Sequence, residues 1–218
     1  MNSHDNIVTS SDSLRYNFVR ELEQRLYDGC SVTFTVSHNV GITVAHDVLS
    51  RLKARGCCIL GLNLSDVSTI EGFLLRLLRE VLQLGTGINV LSDNSIDDLL
   101  GSLPAPEFHA KIQDLVEISY LYQIKESHLE LLDEAVSLLE RIPELFDTRL
   151  VVWFLDFQAI AQINNVNLLL KRLRAIFQHQ SHVSYAFTGT NSSLMQSLFA
   201  DRHQPFYRFA VELKFPGS

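Results

Sequence analysis

The sequence predicts an α/β protein: a three-layer α/β/α sandwich built on a mainly parallel sheet. Three observations predict it. Strand-like and helix-like segments alternate along most of the chain. The strand-like segments CCILGLNLS, LVVWFLD and HVSYAFTG are near-continuous apolar runs, as expected of strands covered on both faces. Right-handed crossovers between such strands then put helices on both sides of the sheet.

The elements follow in order. Residues 1–11 are polar and read as a disordered arm; residues 12–218 read as a single domain. Ser11 or Asp12 caps a first helix reaching Asp28, with Leu14, Phe18, Leu22 and Leu26 recurring every four positions along one face. Gly29 stops it. Ser31 to Val36, rich in β-branched and aromatic residues, is a strand. SHNVG reads as a loop and ITVAHDVLSRLKARG as a helix closing on Gly56. Cys57 to Leu64 is the next strand, and Asp66 or Ser68 opens a helix from Thr69 to Leu84. TGINVLSDNS is a loop and IDDLLGSL a short helix, punctuated by Pro104 and Pro106. Helices at Glu107–Tyr122 and Ser127–Leu139 follow, so residues 86–146 are a candidate helical insertion. Pro143 is expected to break the pattern before the strongest strand, Leu150 to Asp156. A helix from Val166 to His179, a strand from His182 to Gly189 and a short helix from Asn191 or Ser192 to Phe199 come next. A last strand lies near Ala210 to Phe215.

Composition narrows the function classes. Hydrophobic residues are 46% and charged residues 20% of the 218, an ordinary balance for a packed core. The net charge of −7 argues against a general polyanion binder, so nucleic acid is not indicated by charge. The three cysteines, Cys30, Cys57 and Cys58, have no zinc-site spacing; their flanks suggest small buried thiols in a reducing, cytoplasmic setting. The polar N-terminus has no apolar signal core, and the longest apolar run, LVVWFL, is too short to span a bilayer. No membrane association or bound metal is expected. There is also no G-x-S-x-G elbow, no H-E-x-x-H and no dinucleotide glycine run.

In open α/β sheets ligands bind beyond the C-terminal strand ends, beside a helix N-terminus. A phosphate-binding loop there has the spacing G-x-x-x-x-G-K-[ST]. Its glycines let the backbone wrap a phosphate, its lysine neutralises the β and γ oxygens, and its hydroxyl holds magnesium. Laid on that spacing, the chain offers Val36, Ser37, His38, Asn39, Val40, Gly41, Ile42 and Thr43. Gly41 and Thr43 match; Val36 replaces the first glycine and Ile42 the lysine.

Other segments extend the pattern. VVWFLDFQAI, with its Phe157-Gln158 pair, is similar to an acidic strand end that positions magnesium and activates water. SYAFTGTNSSLMQSLF followed by PFYRFA is similar to a later strand carrying a polar sensor. From Val32 to Phe215 the chain resembles the archaeal-type branch of the AAA+/STAND P-loop ATPases. That resemblance implies nucleotide-binding positions at Ser37 to Thr43. If Phe157-Gln158 fixes the register, Leu155-Asp156 fall where the family has Asp-Glu, and Asp156 becomes the candidate catalytic carboxylate. In the other register Asp156 takes the metal-side role and Phe157 the glutamate slot. The resemblance also implies sensor-like positions at Thr190 and Asn191, where helix capping is the competing role. Arg202 and Arg208 become candidate interface arginines, where surface salt bridging is the competing role.

The departures fall on the chemistry. An apolar Ile42 cannot offset phosphate charge, and the carboxylate pair is incomplete in both registers. The expectation is a degenerate ATPase that is not an enzyme and needs no cofactor: a protein-interaction or regulatory module partnering an intact ATPase or a second copy of itself. The alternative is an ATP-binding switch, or an ATPase of a mobile-element, DNA-transaction or defence system, with ATP and Mg2+ as cofactors.

Overall fold

A computed structural model describes residues 10–86 and 128–216. The expected helices at IDDLLGSL and Glu107–Tyr122, and the Pro104–Pro106 boundary, lie outside the described residues, as do residues 1–9 of the expected arm. The elements are α1 (Ser10–Tyr27), β1 (Val32–Thr35), α2 (His38–Ala54), β2 (Cys58–Asn63), α3 (Ile70–Thr86), α4 (His128–Phe146), β3 (Leu150–Leu155), a 3-10 helix (Phe157–Gln162), α5 (Val166–Phe177), β4 (Val183–Gly189), α6 (Ser192–Ala200) and β5 (Val211–Glu212).

The strands form one sheet in the order β2-β3-β4-β1-β5, with every pair parallel. Helices cover both faces, as the sequence predicts. On one face α1 and α2 bring Phe18, Leu22, Leu26, Val44, Val48 and Leu52 against Val32, Phe34, Val151, Trp153 and Ala186. On the other, side chains of α3, α4, α5 and α6 pack on Leu60, Leu62, Val152, Phe154, Tyr185 and Phe187. Strand alternation divides β3 between the layers, Val151 and Trp153 to the first, Val152 and Phe154 to the second. Phe154 and Phe187 stack at 5.3 Å with an interplanar angle of 4°, and Phe157 meets Phe187 edge-on at 4.7 Å. Each such pair adds about 0.5–1.5 kcal/mol beyond burial.

Several boundaries differ from expectation. Helix α2 begins at His38 rather than after Gly41, so SHNVG is not a loop. Helix α1 takes in Ser10 and Ser11, which were assigned to the arm, and Leu14 is exposed rather than on the buried stripe. Helix α4 runs through Pro143 to Phe146; the proline has no N–H for the carbonyl four residues earlier, and the helix ends within one turn of it. Strand β5 is two residues long, paired to β1 through Val211 N–H to Ser31 O and Leu213 N–H to Thr33 O. A 3-10 turn not evident in the sequence follows β3. Cys30 is exposed, in the turn closed by Gly29 at φ +86°, whereas Cys57 is buried. Among the described residues no helix is long and apolar enough to cross a membrane.

Candidate functional site

The C-terminal ends of β1, β4, β3 and β2 surround a cleft of about 120 Å3. Its lining includes His38, Gly41 and Ile42 from α2, Asp156 beyond β3, and Thr190 beyond β4. The structure therefore gathers residues singled out by loop spacing with residues implied by the family resemblance. Arg202 and Arg208 do not line it. Arg202 is exposed in the turn after α6; Arg208, at φ +53°, lies beside the Tyr207 ring and borders a different cavity.

The first βα junction has no room for a wrapping loop. Val36 still donates its N–H to Gly189 O at 3.0 Å, and Ser37 caps the helix with extended backbone. The helix starts at the next residue, and Gly41 N–H already bonds Ser37 O at 2.8 Å. A working phosphate loop points such N–H groups at the ligand; here the first helical turn uses this one. The Val36 side chain stands 3.2 Å from where a Cβ on Gly41 would lie, so any larger residue at 41 would press on the valine that replaces the first glycine. The Thr43 hydroxyl donates to Asn39 O at 3.0 Å, a back-bond to its own helix. Ile42 is 51% exposed. Val40 packs against the α1–α2 layer.

On the other side of the cleft the polar groups satisfy one another. Asp156 adopts left-handed backbone at φ +52°, which a short polar side chain tolerates. Its Oδ1 accepts from Gln158 Nε2 at 3.0 Å, and its Oδ2 lies 3.6 Å from His38 Nδ1. Gln158 Nε2 also donates to Thr190 Oγ1 at 3.1 Å, while Gln158 Oε1 accepts from Thr190 N–H at 3.2 Å. A Cβ on Gly189 would come within 2.4 Å of that oxygen, so glycine at 189 permits the close approach. Thr188 donates to Phe154 O at 3.0 Å, Asn63 Oδ1 accepts from Ser65 N–H at 3.0 Å, and Asn191 caps α6 by accepting from Leu194 N–H at 3.0 Å.

These residues do not fit a magnesium nucleotide. Asp156 is the one carboxylate among the lining residues, and it is bound to Gln158. Phe157, the alternative occupant of the second acidic slot, is fully buried against Phe187 and Phe206. Among the described residues no lysine or arginine lines the cleft, and its volume is below the ~300–1,000 Å3 usual for small-molecule pockets. Gln158 as the central clamp was not legible in the sequence, because Thr190, the partner that makes it a clamp, lies beyond another strand.

The sequence shows no metal-ligand spacing, but the fold brings Glu140, Glu144 and His182 within 4.8 Å of one another. The Glu140–Glu144 spacing on α4 was the available signal. Glu140 already accepts hydrogen bonds from the N–H groups of Ser181 and His182 and from the Ser181 hydroxyl, with His182 Nδ1 at 2.7 Å. It serves as a clamp between α4 and the approach to β4.

No protein-family model matches the chain, and no curated protein sequence does. Solved structures do match. A Walker-type ATPase of Pyrococcus abyssi superposes with a TM-score of 0.61 at 16% identity, over 98% of this chain and 56% of that one. The ORC1 protein of Aeropyrum pernix, in complex with DNA, gives 0.54 at 16% identity, over 93% and 45%. Cdc6p of Pyrobaculum aerophilum gives 0.51 at 11%, over 95% and 47%. The chain has the fold of P-loop, AAA+-like ATPases, and spans about half the length of these matches.

Proposed function

We propose that this chain is a non-hydrolysing P-loop fold that works as a protein-interaction or regulatory module, partnering either an intact ATPase or a second copy of itself. The observation that carries the reading is the start of α2 at His38, with Gly41 N–H bonded to Ser37 O. The backbone that would cradle a phosphate is already a helical turn. The half-exposed Ile42, the back-bonded Thr43 hydroxyl and the engaged Asp156 carboxylate support the same conclusion. In this reading Asp156 and Thr190 anchor Gln158 rather than act on a ligand. Leu14 and Tyr16, exposed on α1, are candidate contact points for the partner. One matched structure is a DNA complex, but the −7 charge of this chain disfavours that route.

Calorimetry with ATP and ADP, with magnesium, tests the reading. The expected result is no heat, and no rise in melting temperature, at millimolar nucleotide. Saturable binding weakened by Thr43→Ala would overturn it and make the chain a nucleotide switch.

A further inference from the structure

A second cavity differs from the cleft in that its polar side chains make no side-chain hydrogen bond or ion pair among the described residues. It has a volume of about 380 Å3 and is bounded by β1, β5, α6 and the turn after α6. Strand β1 explains its character. Val32, Phe34 and Val36 pack into the α1–α2 layer, so Thr33 and Thr35 face the opposite side, where a doubly covered parallel strand normally carries apolar residues. Glu212 stands opposite Thr33 in the ladder and so shares its face.

Thr33, Ser184 and Thr188 are the buried polar residues among those described. Ser184 donates to Leu26 O at 2.8 Å and Thr188 to Phe154 O at 3.0 Å. Thr33, only 4% exposed, has no side-chain hydrogen-bond partner among the described residues and lines the cavity. Its hydroxyl is not one of the enclosed unpaired polar atoms among the described residues; it opens to the cavity, where water or a ligand can meet it. The side chains of Thr35, Gln196, Arg208 and Glu212 also line it without a hydrogen bond or ion pair among the described residues. The apolar part of the wall is Met195, Phe199 and Tyr207. Gln196, Arg208 and Glu212 are exposed, and a cavity of this volume with an apolar wall and polar side chains along its lining has the form of a small-molecule site.

We propose that this cavity binds a zwitterionic small molecule with an apolar body, of the free amino-acid class. The Arg208 guanidinium takes the carboxylate, a pairing suited to its planar fork of donors. Glu212 takes the ammonium group, Thr33 and Thr35 supply hydroxyls, and the body lies against Met195 and Phe199. The site is independent of the nucleotide question, so the two titrations fail separately.

The test is calorimetry with L-phenylalanine, L-methionine and L-leucine, beside phenethylamine and 3-phenylpropionate, each of which keeps one charge of phenylalanine. Saturable binding by at least one amino acid is expected, with both single-charge analogues at least about tenfold weaker. Arg208→Gln, Glu212→Gln and Thr33→Val should each weaken it by a similar factor, with folding checked by circular dichroism. A readout that needs no variant is the amide NMR spectrum of the unaltered protein. Signals of Thr33, Gln196 and Glu212 should move on titration while those of His38, Thr43 and Thr190 stay. No binding by any of the three amino acids at millimolar concentration, equal binding of the single-charge analogues, or shifts confined to the cleft would overturn the proposal.

Discussion

Position 42 separates two explanations of the altered loop, missing charge and missing backbone. A lysine there would restore the charge but leave Gly41 N–H bonded to Ser37 O. Ile42→Lys at this half-exposed site should change stability by no more than about 0.5 kcal/mol. Calorimetry of the variant should still show no ATP heat. Saturable binding would mean that charge alone was lacking and that the first helical turn opens readily. Residue spacing drew attention to Gly41 and Ile42, the family resemblance to Asp156 and Thr190, and these share one cleft. It could not show the Gln158 clamp, since the hydrogen bonds from residue 158 to residue 190 depend on β3 and β4 lying side by side. The free face of β1 was half legible: SVTFTV alternates, but the sequence does not say what covers the threonines.

Elements meet their neighbours through a few polar contacts, and the α4–β4 clamp is the most titratable of them. Burial alone would raise the Glu140 pKa. The hydrogen bond with the His182 side chain and those from Ser181 and the His182 N–H outweigh it, and hold the carboxyl below the ordinary glutamate value. A folded-state pKa below the unfolded one gives stability that is present above the unfolded value and is lost as pH falls through the folded one. Glu140→Gln should therefore lower the melting temperature at neutral pH, by the equivalent of about 1 kcal/mol. The gap to the parent protein should be narrower at about pH 3 than at neutral pH, because protonation of the Glu140 carboxyl as pH falls removes what its charge adds. Thermal melts at the two pH values check this; an equal gap at both would mean that charge plays no part in the clamp. The start of α2 was misread at this scale because Asn39 and Gly41 are turn residues by composition. The close contact between Gly41 and Val36 that makes the glycine useful inside a helix is visible only in three dimensions.

The architecture of the whole molecule was legible because apolar strand runs alternate with amphipathic helices, and that pattern has few parallel-sheet solutions. Strand order was not legible, since nothing local in SVTFTV says that its neighbours are β4 and β5. That order has a consequence in time. Strand β1 pairs only with β4 and β5, so Val32 must find Ala186 and Val211, and β2 must wait for β3. On a ribosome the first third of the chain is finished long before any of its sheet partners exists, and the apolar faces of α1, β1 and α2 have only one another to close on, without Val151, Trp153 and Ala186. Ribosome-stalled chains that expose residues only up to Ser181 should be open to protease along β1. Chains that expose residues past Gly189 should become protected in β1 and β3 together. Protection of β1 in the shorter chains would mean that the α1–α2 layer folds without its strand. Until β4 emerges, a cell making this protein has to shelter an unpaired central strand, and a chaperone that holds extended apolar segments would have its longest opportunity there.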